Sequence, residues 1–260
     1  MNVIDINPLY SIAGLAVGIL VGLTGVGGGS LMTPLLVLAF GFHPVTAVGT
    51  DLLYASATKT VGTAVHGFSR TVDWKVVRRL ATGSVPATIV TLIVLAYAGK
   101  RLEGTEHVIT VTLGLALIAT AIAMLFRRQI LAYFAGAAEM PPRKVLIATI
   151  SLGAALGMLV SLSSVGAGAI GMTALLILYP RLPVNRLVGS DIAHAVPLTL
   201  IAGMGHWAMG SVDVALLLSL LAGSIPGIVI GSLISTRIPE HVLRTILAGT
   251  LAIIGGKLIF

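Results

Sequence analysis

The residues with chemistry to offer are the few ionisable side chains that fall inside apolar tracts. Gly49-Thr50-Asp51 and Gly189-Ser190-Asp191 repeat one motif 140 positions apart. A carboxylate inside a membrane span is a functional candidate by default, as a proton carrier or as the partner of a cation. The competing reading is an acid at a membrane interface, near a helix N-terminus, where negative charge is favourable. Both fit Asp51 and Asp191. Lys59 follows Asp51 by eight residues, about 80° away on a helical wheel. It would attract an anion; alternatively it ties to Asp51 or extends its ammonium to the interface. His194, three residues after Asp191, is either a hydrogen-bonded core histidine or a proton-transfer group active near neutral pH.

Glycine supplies the second signal. "GLTGVGGGSLMTPLLVL" (22–38) places Gly25, Gly27, Gly28 and Gly29 within an uncharged tract running from Ile6 to Phe42. Each glycine inside a buried helix costs up to about 1 kcal/mol relative to alanine, so the cluster requires a reason. Close helix packing through small residues is one. The other is an irregular backbone at membrane depth, which is tolerated only where it is buried in protein or lines a cavity. A helix restarting at about Ser30, and again at Ala169, would aim N–H groups and a positive dipole end at an anion. On that reading the substrate-binding residues are Thr24, Gly27, Gly28, Gly29, Ser30 and Lys59 in the first half. Ser163, Ser164, Gly166, Ala167 and Gly168 serve in the second, with Thr33 and Thr173 as further hydroxyl donors. Asp51, Asp191 and His194 are the coupling candidates.

Composition decides the class of protein. Of 260 residues 57% are hydrophobic and 10% charged, against about 25% charged in ordinary soluble domains; mean hydropathy is +1.06. Several apolar runs reach the roughly 20 residues that cross a hydrocarbon core, so the chain reads as a polytopic, all-α integral membrane protein. The first apolar run lacks a basic segment before it and reads as a span rather than a cleaved leader. With no cysteine, disulfides, thiolate metal sites and cysteine nucleophiles are excluded. The net charge of +7 fits cytoplasmic loops under the positive-inside rule better than it fits nucleic acid. No metal site and no cofactor is expected.

The elements that must position these residues follow from an internal repeat. "LVGLTGVGGGS" (20–30) aligns with "LVSLSSVGAGA" (159–169) at a shift of 139. After one inserted residue, Gly49, Asp51, Ala55, His66, Val72, Asp73, Leu80, Gly83, Ser84 and Pro86 all recur at 140. The chain divides into a first repeat (1–127), a cytoplasmic linker (128–142) and a second repeat (143–260), and the joint at 127–144 carries four basic residues, one acid and a Pro-Pro break. The uncharged tract from Val145 to Pro180 holds 36 residues. As one helix it would measure about 54 Å, against a hydrocarbon core of about 30 Å. Each such tract must therefore break at its glycines, as two short helices forming a hairpin that dips into the membrane. Three spans follow in each half, at about 45–67, 76–98 and 107–126, then 184–206, 212–236 and 241–260.

Equivalent loops carry opposite charge patterns. Arg70, Lys75, Arg78 and Arg79 flank one connection, whereas its counterpart at 206–213 has no Lys or Arg. Arg181 and Arg186 lie at 180–186, and 41–46 has neither. The halves thus read as inverted-topology repeats, each a broken-helix hairpin plus three transmembrane helices, with both termini extracytoplasmic, as in secondary transporters with a midplane site. Asp73 and Asp213 read as helix caps, Pro86 and Pro226 as kinks, Trp74 and Trp207 as interface anchors. His66 and His206, at span ends, read as interfacial capping groups.

"GVGGGSLMTPLL" (25–36), the Gly-Thr/Ser-Asp motif, His66 and "TVD" (71–73) before a basic loop, with their second-half echoes, resemble the sulfite exporter TauE/SafE family, also called toluene-sulfonate uptake permeases. The resemblance covers nearly the whole chain. It implies a multi-pass transporter in a bacterial inner membrane, moving sulfur oxyanions such as sulfite, sulfoacetate or other sulfonates, usually outward. Within "GAGAIGMTALL" (166–176), Ala169 and Thr173 stand where the first half has Ser30 and Pro34. The expected function is a secondary transporter, not an enzyme, with a small sulfur oxyanion, the lipid bilayer and a coupling proton as its partners. A passive anion channel shares these features, since the two differ in conformational energetics. An intramembrane diaspartyl hydrolase is prompted by the paired aspartates but lacks Gly-x-Gly-Asp; HExxH, Gly-x-Ser-x-Gly and a Walker loop are also missing.

Overall fold

The computed structural model describes residues 6–24, 29–68, 72–101, 105–134, 140–234, 248–249, 251–253 and 255–257. These are helical apart from their connections. In order they form α1 (Pro8–Thr24), α2 (Gly29–Leu38), α3 (Pro44–Phe68), α4 (Trp74–Arg101), α5 (Thr105–Leu125), α6 (Arg127–Phe134), α7 (Pro142–Ser163), a π-helical turn (Ala167–Gly171), α8 (Met172–Leu178), α9 (Val184–Ala208) and α10 (Val214–Ile234). Proline opens α1, α3 and α7, where its missing N–H costs nothing and its φ suits the first turn. Asp73 caps α4 through Oδ1, which accepts from the Lys75 and Val76 amides at 3.0 and 3.3 Å. Asp213 caps α10 through the Leu216 amide at 2.9 Å. Both are the caps expected from sequence.

Among the described residues, four helices are long and apolar enough to cross a membrane: within α4, α7, α9 and α10. The count reaches five if α5 and α6, bent by 66° at Phe126, are taken as one span. The expected spans at 45–67, 76–98, 107–126, 184–206 and 212–236 correspond to α3, α4, α5, α9 and α10. α3 has the length, at 25 residues, but Asp51, Lys59 and His66 lower its apolar content. Most of the expected 241–260 span lies outside the described residues. Part of the 128–142 linker is helical: α6 buries none of its residues and leaves Tyr133 exposed. The second uncharged tract breaks at its glycines, as its length demands; in the first, α1 ends at Thr24 and α2 opens at Gly29, with residues 25–28 outside the described ones. α7, however, is not a short arm. Its 22 residues span about 33 Å, so the chain turns back only after a full crossing's length of helix.

Packing pairs the first helix of each half with a helix of the other half: α1 lies along α10, and α7 along α4. Glycine makes both contacts close. A Cβ at Gly14 would strike the backbone of Leu220, and one at Gly18 that of Ser224. At a shift of 139 or 140, a Cβ at Gly153 would strike Leu80, and one at Gly157 would strike Ser84. This is small-residue packing of the kind that lets membrane helices approach. α3 packs along α9 between these pairs. Their flanks are tied by two equivalent bonds: the Asp73 amide donates to Ser190 Oγ at 2.8 Å, and the Asp213 amide to Thr50 Oγ1 at 3.1 Å. Ile89, Val90, Ile93, Val94 and Tyr97 form an exposed stripe on α4, opposite buried Leu80, Ser84 and Thr88; such an apolar outer face suits hydrocarbon.

Overpacking a tight contact costs about 1–3 kcal/mol or more. Gly14→Val and Gly153→Val are each expected to lower the melting temperature of the purified protein by several degrees or abolish a monodisperse peak. Gly249→Ala, where an added Cβ meets nothing within 4 Å, is expected to leave both unchanged. Thermal unfolding followed by size-exclusion chromatography checks this.

Candidate functional site

The second-half break is built from two residues in the left-handed region. Ser164, at φ 59°, ends α7 with its amide on the Val160 carbonyl at 2.7 Å, and Gly166 follows at φ 108°. Only glycine takes such a φ at little steric cost, and a Cβ at Gly166 would also meet the Leu159 side chain. The chain then runs back beside α7, with Gly171 against Leu156. The π-helical turn holds Ala167 and Gly168 and closes with the Gly171 amide on the Gly166 carbonyl at 3.3 Å. A π turn accommodates one residue more than an α turn. This is where the second half carries its extra residue. Beyond it Met172-Thr173 falls into register with Met32-Thr33 at a shift of 140. Thr173 therefore corresponds to Thr33, and Ala174 to Pro34, which corrects the pairing read from the ungapped alignment.

Asp51 is fully buried, which removes the reading of an interfacial helix-end acid. Its Oδ2 accepts three hydrogen bonds: from the Thr33 amide at 3.1 Å, the Thr33 hydroxyl at 2.5 Å and the Ser164 hydroxyl at 3.0 Å. Thr33 belongs to α2 and Ser164 to the end of α7, so one carboxylate on α3 ties both broken tracts together. Hydrogen bonds to an ionised acceptor are short and roughly twice as strong as neutral ones. Oδ1 has no partner.

Asp191, its repeat equivalent, is 5% exposed and differently placed. Its Oδ1 is buried without a hydrogen-bond partner. It faces Gly171 of the π turn, where an added Cβ would lie 3.2 Å away. Lys59, 8% exposed, sits near the middle of α3, and the charges that act on it are those of Asp191 and Asp51. His194 is fully buried and shares a 2.8 Å hydrogen bond between Nε2 and Ser84 Oγ of α4. The equivalent positions in the other half are Tyr54 and Ser224, which adjoin each other. Their hydroxyls are buried and form no hydrogen bond of good geometry.

The structure thus gathers Lys59, Asp51, Asp191, His194 and Ser164 between α3, α9 and the second break. Ser163 turns away: its hydroxyl bonds the Leu159 carbonyl at 2.7 Å and accepts from the Val165 amide. Thr173 bonds the Ala169 carbonyl at 2.8 Å. Thr24 ends α1, and Gly29 and Ser30 open α2; Gly27 and Gly28 lie outside the described residues, as do the side chains of Thr24, Ser30 and His66. His206 does not cap an interface. It is fully buried, with Nε2 2.9 Å from the Ser161 carbonyl, joining α9 to α7. Trp74 and Trp207 are exposed at helix ends. Sequence reading passed over Tyr54 and the pairing of Ser84 with His194. The alignment of Tyr54 with His194, and of Ser84 with Ser224, was the available signal. Among the described residues no group of three or more His, Asp or Glu could hold a metal ion.

A buried lysine acted on by the charges of two buried carboxylates is a functional candidate inside a membrane span. Known proteins bear on that chemistry. Residues 10–258 match the family described as Sulfite exporter TauE/SafE. The chain is 39% identical over 253 residues to the "Probable membrane transporter protein YjnA" of Bacillus subtilis, covering 95% of this chain and 97% of that protein. It is 28% identical over 246 residues to "Probable membrane transporter protein YdhB" of the same organism, covering 94% and 96%. A third "Probable membrane transporter protein", from Methanocaldococcus jannaschii, is 26% identical over 265 residues, covering 95% of this chain and 93% of that one. No solved structure matches. Matched to one family across nearly its whole length, the chain belongs to the sulfite exporter TauE/SafE family and is a membrane transporter rather than an enzyme.

Proposed function

We propose that this transporter is a secondary carrier of sulfur-containing oxyanions, sulfite or organosulfonates, which it exports across the inner membrane. The observation that carries the reading is Lys59: a cation buried near the middle of α3 and acted on by the charges of Asp191 and Asp51. A buried charge is retained at a cost and is normally paired or functional. A pair of carboxylates alone would repel an anion; Lys59 gives it a counter-charge. The first turn of a helix offers amides without intrahelical partners, and Gly166 and Gly168 leave the backbone bare around the second break.

The same reading takes residues 1–127 and 143–260 as inverted repeats joined by the 128–142 linker, with the site between them. Reciprocal packing of α1 on α10 and α7 on α4 supports it, as do the paired bonds of Asp73 with Ser190 and Asp213 with Thr50. Inversion puts the loop before Lys75 in the cytoplasm and the loop after Trp207 outside.

Two experiments test these points. In proteoliposomes, a panel of sulfite, sulfoacetate, sulfate and chloride is expected to show saturable flux for the sulfur(IV) or sulfonate members. Lys59→Met should reduce that flux at least tenfold while the protein stays monodisperse. Wild-type flux in folded Lys59→Met would remove Lys59 from the anion path. For orientation, single cysteines replacing Lys75 and Met209 in this cysteine-free chain should react with an impermeant thiol reagent from opposite sides of the membrane. Labelling of both from one side would defeat the inverted arrangement.

A further inference from the structure

The two aspartates are equivalent in the repeat and unequal in their surroundings. Asp51 Oδ2 has three donors, which stabilise a negative charge in addition to the field of Lys59, and only its Oδ1 is without a donor. Asp191 Oδ1 has none. Thr173, which corresponds to Thr33, spends its hydroxyl on the Ala169 carbonyl instead. The position facing Asp191 is Gly171, whose missing side chain lets the π turn lie close against that oxygen. The charge that acts on Asp191 is that of Lys59, on the helix packed along α9.

The other ionisable groups around Asp191 are accounted for. On α9 itself Arg186 is exposed, His206 bonds the Ser161 carbonyl, and His194 bonds Ser84 through Nε2, its Nδ1 being buried without a partner. α3 brings Asp51, Tyr54 and Lys59, of which Lys59 is the one whose charge acts on Asp191. α4 brings Lys75, Arg78 and Arg79 at its start and Tyr97 near its end; Lys75, Arg78 and Tyr97 are exposed, and Arg79 donates to the Tyr179 hydroxyl at 3.1 Å. α7 brings exposed Arg143 and Lys144 at its start. The π turn and α8 bring none.

From this juxtaposition we infer that Asp191, and not Asp51, carries the coupling proton, and that it takes up this proton as an oxyanion replaces it beside Lys59. The inference rests on the oxyanion-transport reading. Its logic is charge balance in a buried site. With the site empty, the Asp191 carboxylate and the Lys59 ammonium offset each other, the charge of Asp51 being held by its own three donors. A monoanion that settles on Lys59 leaves the carboxylate buried and uncompensated, which is strongly unfavourable. A proton from water then forms an O–H bond on Asp191, and the anion with the ammonium again sums to zero. On release the O–H bond breaks and the carboxylate returns to Lys59. Proton and anion therefore favour each other's binding, by the same factor in both directions. They cross together, in the direction set by the sum of their gradients. Asp51 keeps its three donors throughout and serves as the tie between the two breaks.

The test is infrared difference spectroscopy on lipid-reconstituted protein, with sulfite as the probe. Adding sulfite should produce the carbonyl band of a protonated carboxylic acid in wild type and in Asp51→Asn. The band should be lost in Asp191→Asn and moved in frequency in Asp191→Glu, which retains the acid if the asparagine variant folds poorly. In proteoliposomes, Asp191→Asn should lose the proton movement that accompanies sulfite while sulfite–sulfite exchange persists. A band that survives in Asp191→Asn, or that vanishes only in Asp51→Asn, overturns the assignment. Sulfite flux with such a result leaves the transport reading standing, whereas no saturable flux of any sulfur oxyanion in wild type removes both.

Discussion

A carboxylate taken out of water must find donors, and in this protein the donors for Asp51 come from two different broken helices. The Thr33 amide and hydroxyl reach it from α2, and the Ser164 hydroxyl from the end of α7, 113 positions along the chain. Leaving such a group unsatisfied costs several kcal/mol at membrane depth (about the penalty for any unpaired polar group in hydrocarbon). The breaks consequently cannot drift apart without exposing that cost. Their positions relative to α3, and therefore to Lys59, are set by this one acceptor oxygen.

The rest of the architecture brings those donors to that acceptor. Glycines at 14 and 18 let α1 press onto α10, and glycines at 153 and 157 let α7 press onto α4. Both broken tracts are thereby held by the opposite half. His206 adds a buried bond from α9 to the Ser161 carbonyl, close to where α7 ends. Lipid tails are as apolar as the helices, so van der Waals fit and interhelical hydrogen bonds carry the assembly. The site inherits its rigidity from these contacts.

Much of this was legible in the sequence. Tract length against bilayer thickness required a break, and glycine told where; α3, α4, α5, α9 and α10 match their expected spans closely because apolar runs between loop charges leave little choice. The motifs that named the family are short and contiguous. What stayed hidden depended on which surfaces meet. The extra residue between Gly166 and Met172 was visible as an insertion, but an ungapped reading paired Thr173 with Pro34; its absorption in a π turn restores Thr173 to Thr33. The full length of α7 was missed because the apolar tract opens at Val145, whereas the helix already begins at Pro142 and runs unbroken to Ser163. His206 looked interfacial from its place at a helix end, yet α7 covers it. Nor could a repeat in which Asp51 equals Asp191 reveal that one has three donors and the other a lysine. That difference arises from Ser164, whose counterpart in the first half is Gly25, a residue with no hydroxyl to give, and from Thr173, whose hydroxyl bonds the Ala169 carbonyl where Thr33 reaches Asp51.

The central claim is that the anion sits beside Lys59 between the two breaks while Asp51 holds them. An electron cryomicroscopy structure of the protein in a lipid nanodisc, bound to a fiducial antibody fragment and saturated with sulfite, measures this directly. The account predicts pyramidal density within hydrogen-bond distance of Lys59 Nζ, with Thr33 and Ser164 still on Asp51. Anion density away from Lys59 and from both breaks would contradict it.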